Sequence, residues 1–493
     1  MEITKLNLKQ SVEALERGEL TSLELTKAYL DRIEKLDSHI NSYLLVTKDL
    51  ALKQAEESDK RRKEGKILSK IDGIPMAVKD LYLTKGVKTT AASKILEDFV
   101  PVYESTVTQK LFDAGCVMLG KTNLDEFAMG SSTENSAYKT TKNPWDLSRV
   151  PGGSSGGSAA AVSADLCCFA LGTDTGGSIR QPASLCSITG LKPTYGRVSR
   201  YGIIAMASSL DQAGPMTKTV EDAAIVMEVI SGQDENDLTT SSREVPKYSK
   251  DLEKIDIKNL TVGIPEEFFG EGMDKGVEKV VKDAIEKMKS LGAKIVNVSL
   301  PKIKYALAIY YIIMPAEVSS NLARYDGIRF GYSILKDNQA IDSLEEVYKK
   351  SRAQAFGSEP KRRSMLGSYV LSSGYYDAYY KKAQQARVAV KNDFDSAFEK
   401  CDLLITPVSP TTAFKIGEKT DDPMTMYLSD VHTVPINPAG LPAMSIPAGF
   451  VNGLPVGMQI IGNMWDEEKI LKLGNIYQQN TDYHLQKPKI LDE

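Results

Sequence analysis

The sequence predicts an α/β fold, with a mixed, mostly parallel β-sheet covered by helices on both faces. Three observations carry this. Two strand–helix–strand units are legible, one over 74–119 and one over 260–298. Such units place their two strands parallel, because a crossover helix returns the chain to the same end of the sheet. Near the C-terminus, Asn452-Gly453 separates two apolar stretches over 443–450 and 454–461. That dipeptide favours the tight turn of an antiparallel hairpin.

The elements follow in order. Residues 1–70 read as a helical segment. Thr21 and Glu24 form a capping box, and Leu25, Tyr29, Ile33 and Leu36 line one face behind it. The charged run Lys60-Arg61-Arg62-Lys63 reads as a solvated helix end. Asp72-Gly73 is a turn signal, followed by a short buried strand over 74–78 that ends on Lys79. A helix over 105–114 is stopped by Gly115, and a strand over 116–119 follows. In the second unit, Val277, Val280, Val281, Ala284, Ile285, Met288 and Leu291 keep three/four spacing between strands over 260–264 and 293–298. Residues 233–258 are polar and read as a surface excursion. No internal repeat is found.

The 493 residues are 42% hydrophobic and 26% charged, an ordinary globular balance. The net charge of −4 provides no broad basic field, so most phosphate contacts to any nucleic acid would belong to another chain. Cys116, Cys167, Cys168, Cys186 and Cys401 form no C-x-x-C pair and read as buried thiols in a reducing cytoplasm. Residues 1–10 lack the apolar core of a signal peptide. The apolar run over 306–316 contains Pro315 and is too short to span a bilayer. The expectation is a cytoplasmic protein with no membrane segment.

The chemistry concentrates in two glycine–serine loops. Pro151-Gly152-Gly153-Ser154-Ser155-Gly156-Gly157-Ser158 precedes a helical stretch over 159–164 and a strand over 166–171. Gly172-Thr173-Asp174-Thr175-Gly176-Gly177-Ser178-Ile179-Arg180-Gln181-Pro182 follows. Neither loop fits a phosphate-binding pattern. Flexible linkers do not alternate with buried helix and strand. The remaining use is a serine nucleophile beside an oxyanion hole built from the N–H groups of Thr175, Gly176, Gly177 and Ser178.

A serine nucleophile needs a base. His39 and His484 lie in polar surroundings near the termini, and His432 sits in no triad-like context. Lys79 ends an apolar strand, where burial could bring its ordinary value of about 10.4 towards neutrality. Alternatively it snorkels to water. A formal nucleotide-binding match also exists, Gly115-Cys116-Val117-Met118-Leu119-Gly120-Lys121-Thr122. Its middle residues are apolar and read as a buried strand with its N–H groups already paired. A P-loop NTPase is therefore the distant alternative, which ATP binding by this chain would support.

Together these residues resemble the amidase signature family. The two loops carry its glycine–serine signature, and Gly73-Ile74-Pro75-Met76-Ala77-Val78-Lys79-Asp80 matches its lysine motif. The resemblance implies a single amidase-signature domain over 1–493. In it, 1–70 is a helical segment, 71–230 holds the catalytic motifs, and 231–493 completes the sheet and substrate pocket. It further implies a Ser–cis-Ser–Lys triad, with Ser178 as nucleophile, Ser154 as bridging serine and Lys79 as base. Within the family, the chain is most similar to the A subunits of glutamyl-tRNA(Gln) amidotransferases. That match rests on Asn321 to Gly327, Ser372 to Tyr380, Asp422 to Tyr427 and Asn437 to Pro442.

Such subunits are glutaminases. The resemblance implies Arg363 for the substrate carboxylate and Asp430 for its ammonium, chemistry suited to a guanidinium fork and a carboxylate. Pro360 and Ser364 depart from the usual motif and leave Arg362 as an alternative to Arg363. The implied partners are the B and C subunits of a heterotrimer, with tRNA held mainly by the former. ATP and Mg²⁺ are expected on that same partner; no metal or cofactor is expected on this chain. A stand-alone amidase acting on small amides is the nearer alternative.

Overall fold

A computed structural model describes residues 2–270, 272–337 and 341–492. One eleven-stranded sheet runs through them. Its strands are β1 (Tyr43–Val46), β2 (Pro75–Lys79), β3 (Val117–Thr122), β4 (Phe169–Asp174), β5 (Thr189–Lys192), β6 (Gln212–Thr217), β7 (Thr261–Pro265), β8 (Lys294–Val298), β9 (Leu403–Pro407), β10 (Ala443–Val451) and β11 (Leu454–Gly462). Their order across the sheet is β1-β3-β2-β4-β6-β5-β10-β11-β9-β7-β8.

Both strand–helix–strand units form as predicted. β2 and β3 are parallel around the Thr106–Asp113 helix, and β7 and β8 around Lys275–Ser290. β10 and β11 form the antiparallel hairpin, and Asn452 and Gly453 both adopt positive φ (50° and 79°), as this turn requires. The sheet is mixed, but the expected parallel majority is corrected. Four neighbouring pairs are parallel and six antiparallel. The parallel units lie towards the two ends, and the antiparallel strands β6, β5, β10 and β11 join them. Among the middle pairings, β5 with β10 links segments far apart in sequence, Lys192 opposite Ala443, which local periodicity cannot register.

Helices cover both faces. Leu403 and Ile405 of β9 point into one apolar cluster and Leu404 into another, as strand alternation requires. Val277, Val281 and Met288 of the Lys275–Ser290 helix join the first cluster. Ile309, Ile313 and Val318 of the Ala306–Leu322 helix join the second. This last helix extends well past the apolar run read from sequence. With the preceding turn it becomes long and apolar enough to cross a membrane, which corrects the expectation of too short a segment. Here its buried face walls the core, and Tyr310 reaches the second glycine–serine loop.

The charged run after the first helices is also more than a solvated end. Arg61 pairs with the buried carboxylate of Asp72 at 2.6 Å, fixing the turn before β2. The five cysteines are buried free thiols. The segment with the nucleotide-binding pattern is the buried strand β3. The N–H groups of Cys116, Val117 and Met118 donate to Leu111 O, Ile74 O and Gln54 Oε1, each at 2.9 Å. Lys121 Nζ is buried against Thr89 Oγ1 at 3.0 Å and lies 3.6 Å from Asp80. No phosphate cradle exists there.

Candidate active site

β2 lies between β3 and β4, parallel to both, and all five of its residues are buried. That placement carries Lys79 to the strand's end without reaching water. Its Nζ lies 2.8 Å from each of Ser154 Oγ, Ser155 Oγ and Thr173 Oγ1. Burial pushes the Lys79 amine down to about 7, against the pull of Asp125, Asp174 and Asp211. A neutral amine donates two hydrogens and accepts one, so one of the three hydroxyls can give up its proton to it. Ser155 is already committed, because its Oγ donates to Thr173 O at 3.1 Å. Ser154 follows the cis peptide Gly153-Ser154, as the motif implied.

From Val150 to Thr194 every residue is buried except Ser178. The loop thus presents one hydroxyl to the outside. The two loops are tied by Ser155 N–H donating to Ser178 O at 3.2 Å. No hydrogen bond joins Ser178 Oγ to Ser154.

Among the described residues, no acceptor takes the N–H of Thr175, Gly176 or Ser178. These three remain available to a developing oxyanion. Gly177 does not, which corrects the sequence expectation. Its N–H donates to Asp174 Oδ1 at 2.8 Å, since its φ of 132° folds the chain back over that carboxylate. Only glycine fits: a Cβ there would lie 2.1 Å from Thr433 Oγ1.

Asp174 organises this loop. Arg180 grips it with two bonds of 3.0 Å and also reaches Gln459 Oε1 and Asn437 Oδ1. Burial would raise the Asp174 carboxyl, but the Arg180 charge and hydrogen bonds outweigh it and hold it at about 2. Both side chains of the pair are fully buried.

Arg363 lies on the Ser358–Val370 helix and is 3% exposed, whereas the Arg362 side chain is 41% exposed. Arg363 is thus the buried one of the two, and Arg362 the exposed one. Pro360 falls in the helix's first turn, where proline is tolerated. The Arg363 guanidinium faces the rings of Tyr311 and Tyr427 at 5.6 Å each and bonds Glu359 Oε1 through Nε at 2.7 Å. Nη1 reaches only Met314 Sδ, and Nη2 has no acceptor among the described residues. Both terminal nitrogens can therefore serve a carboxylate.

Arg363, Arg362, Glu359, Tyr427 and Ser132 line a cavity of about 250 Å³. Its lining does not include Asp430 or Ser178. Asp430 is buried against Ser131 Oγ. Burial raises its carboxyl to about 7, with the Ser131 bond and the Arg363 charge opposing the rise. Tyr310 links these parts: its ring abuts Gly176, and it feels the charges of Arg363, Asp430 and Asp174.

His432 takes no part as a base. Its Nδ1 is buried without a partner, its ring packs on Phe268 at 5.7 Å, and burial lowers it to about 4. Among the described residues, no group of three or more His, Cys, Asp or Glu side chains could hold a metal ion.

A buried lysine on a cis-linked serine, beside a glycine loop with one open serine, sets the expectation, and a model of the Amidase family matches residues 24–471. The chain belongs to that family. It is 55% identical over 484 residues to a protein from Thermoanaerobacter pseudethanolicus named as the A subunit of glutamyl-tRNA(Gln) amidotransferase, covering 98% of each chain. It is 54% identical over 490 residues to the like-named protein of Carboxydothermus hydrogenoformans, covering 99% of this chain and 100% of the other. Among solved structures, the A subunit from Thermotoga maritima superposes with a TM-score of 0.82 at 42% identity, covering 99% of this chain and 98% of the other. A peptide amidase from Stenotrophomonas maltophilia also gives 0.82, at 29% identity over 99% of both chains.

Several residues of this amidase's site escaped the sequence reading. Ser155, Thr173, Asp174 and Arg180 all lie inside the quoted motifs, so their residue types were visible. The role of Arg180 depends on Asn437 and Gln459, 257 and 279 positions away, and those of Ser155 and Thr173 on Lys79, 76 and 94 positions away.

Proposed function

We propose that this amidase hydrolyses the side-chain amide of glutamine and is the ammonia-releasing subunit of a tRNA-dependent amidotransferase. The observation that carries the reading is end-to-end similarity to proteins named as the A subunit of that enzyme. The pocket chemistry supports it. Arg363 offers free donors for an α-carboxylate, and Asp430 offers a carboxylate for an α-ammonium.

Neutral Lys79 takes the Ser154 proton, and Ser154 takes that of Ser178 as Ser178 Oγ attacks the amide carbon. The N–H groups of Thr175, Gly176 and Ser178 hold the oxyanion. Removing one such donor costs roughly 3–4 kcal/mol of transition-state stabilisation in comparable sites. Ser154 then protonates the leaving nitrogen, the C–N bond breaks, and ammonia departs from a glutamyl ester on Ser178. Water, deprotonated through the same relay, cleaves that ester to glutamate and restores the Ser178 hydroxyl.

The partners are the B and C subunits of the amidotransferase. The B subunit uses ATP and Mg²⁺ to activate the glutamate of Glu-tRNA(Gln) and makes most tRNA contacts, consistent with the net charge of −4 here. The setting is the cytoplasm. The second reading is a stand-alone amidase, favoured by the close superposition of a peptide amidase. Co-purification from the native host followed by a glutaminase assay decides between them. Two stoichiometric partners with glutamine-dependent ammonia release support the amidotransferase. A lone chain that turns over simple amides but not glutamine overturns it.

A further inference from the structure

The loop between β3 and the first glycine–serine loop carries two adjacent buried acids, Asp125 and Glu126, that face different parts of the site. Asp125 serves the catalytic loops. Its N–H donates to Ser154 O at 3.3 Å, and its carboxylate accepts from Thr133 N at 2.9 Å and Asn135 N at 3.1 Å. It also fills the space beside Gly153, where a Cβ would lie 2.2 Å from Oδ2.

Glu126 turns the other way. It is 1% exposed, and its Oε2 accepts the N–H of Gly357 at 2.9 Å, while Oε1 accepts from Ser93 Oγ. Gly357 is the N-cap of the Ser358–Val370 helix and has no side chain to cap it. Glu126 supplies that cap from elsewhere in the chain, meeting one of the donors a helix leaves open at its start. The fit is close, since a Cβ on Gly357 would lie 2.3 Å from Glu126 Oε2. Phe127 extends the contact, its ring tilted against Phe356 at 5.7 Å and Tyr325 at 5.1 Å. Phe127 and Ala128 hold positive φ (51° and 63°), a conformation that persists for such residues only where the surroundings impose it. Arg363 lies six residues along the clamped helix, about 9 Å at the helical rise.

We infer that Glu126 is a positioning residue that sets the register of the Arg363 helix against the catalytic loops. One two-residue step in the chain thus ties the cis-serine to the group that receives the substrate carboxylate. This rests on glutamine being the substrate.

The test is steady-state ammonia release from glutamine by the complete assembly, with Glu126→Ala, Glu126→Gln, Gly357→Ala and the double variant Glu126→Ala/Gly357→Ala. Glu126→Ala raises KM about tenfold and leaves kcat within about threefold, because a lost cap displaces the carboxylate-binding group but not Ser178. Glu126→Gln retains an acceptor for Gly357 and restores KM. Gly357→Ala raises KM alone, through its clash with Glu126, and adds nothing in the Glu126→Ala background. An unchanged KM in Glu126→Ala, a fall confined to kcat, or additive effects in the double variant overturn the inference. Should Glu126→Ala fail to fold, Gly357→Ala decides by itself: a raised KM at constant kcat supports the clamp, and an unchanged KM overturns it. If the unaltered assembly releases no ammonia from glutamine, the substrate reading fails instead.

Discussion

Activity should follow the protonation of Lys79, and the structure gives the size of the effect. Burial lowers the amine from its ordinary 10.5 to about 7. That displacement corresponds to about 5 kcal/mol against the ammonium form. An ordinary exposed lysine would be neutral in about one molecule in 3,000 at pH 7, whereas this one is neutral in roughly half. The neutral amine is the base, so rate is lost as pH falls. Below about pH 6, kcat for ammonia release should drop close to tenfold per pH unit. Asp430, raised to about 7, must be ionised to take the substrate ammonium and titrates in the same range in the free enzyme. Bound ammonium then keeps it ionised. The acid limb of kcat/KM should therefore be steeper, approaching a hundredfold per pH unit, while kcat keeps the single-proton slope. Initial-rate profiles of the purified assembly between pH 5 and 9 measure both. A kcat that is flat from pH 6 to 8, or that rises only towards pH 10, would refute a buried neutral lysine as base.

Ser178→Ala should abolish ammonia release while thermal stability changes by less than about 0.5 kcal/mol, because Ser178 is partly exposed and its hydroxyl bonds no group among the described residues; calorimetric unfolding alongside the activity assay checks this. Arg363→Lys should raise KM for glutamine by tenfold or more, on the order of magnitude of a lost forked contact, while Arg362→Ala, at the exposed rim of the same cavity, should raise it less; steady-state KM for glutamine in both variants checks this. Asp174→Asn leaves the Arg180 charge buried without its counter-ion and should destabilise the fold by about 3–5 kcal/mol, read as a lowered unfolding midpoint. Titration of the isolated chain with Mg²⁺–ATP should produce no binding heat, since the N–H groups at the start of β3 are already paired; measurable binding would revive the nucleotide reading.

The sequence by itself determined the elements whose signals are local. The Thr21–Glu24 capping box forms as read, with Thr21 Oγ1 and the Glu24 carboxylate each meeting the other's N–H. The Asn452-Gly453 hairpin and both strand–helix–strand units also form, because periodicity and turn chemistry act over a few residues. The family motifs marked Lys79, Ser154 and Ser178, while the strand-end position of Lys79 taken alone left a solvated cation open; the structure puts its Nζ 2.8 Å from Ser154 Oγ.

Only the tertiary structure decided what depends on direction and on distant partners. Neighbours on a helix point about 100° apart, so burial separates Arg363 from Arg362 where composition cannot. Gly177 and Gly176 look alike in sequence, yet one N–H is turned into Asp174 and the other left open. The pairing of β5 with β10 at the middle of the sheet puts Lys192 opposite Ala443, segments far apart in the chain. Such pairings are set by packing of whole faces, and a residue's neighbours along the chain carry no record of them.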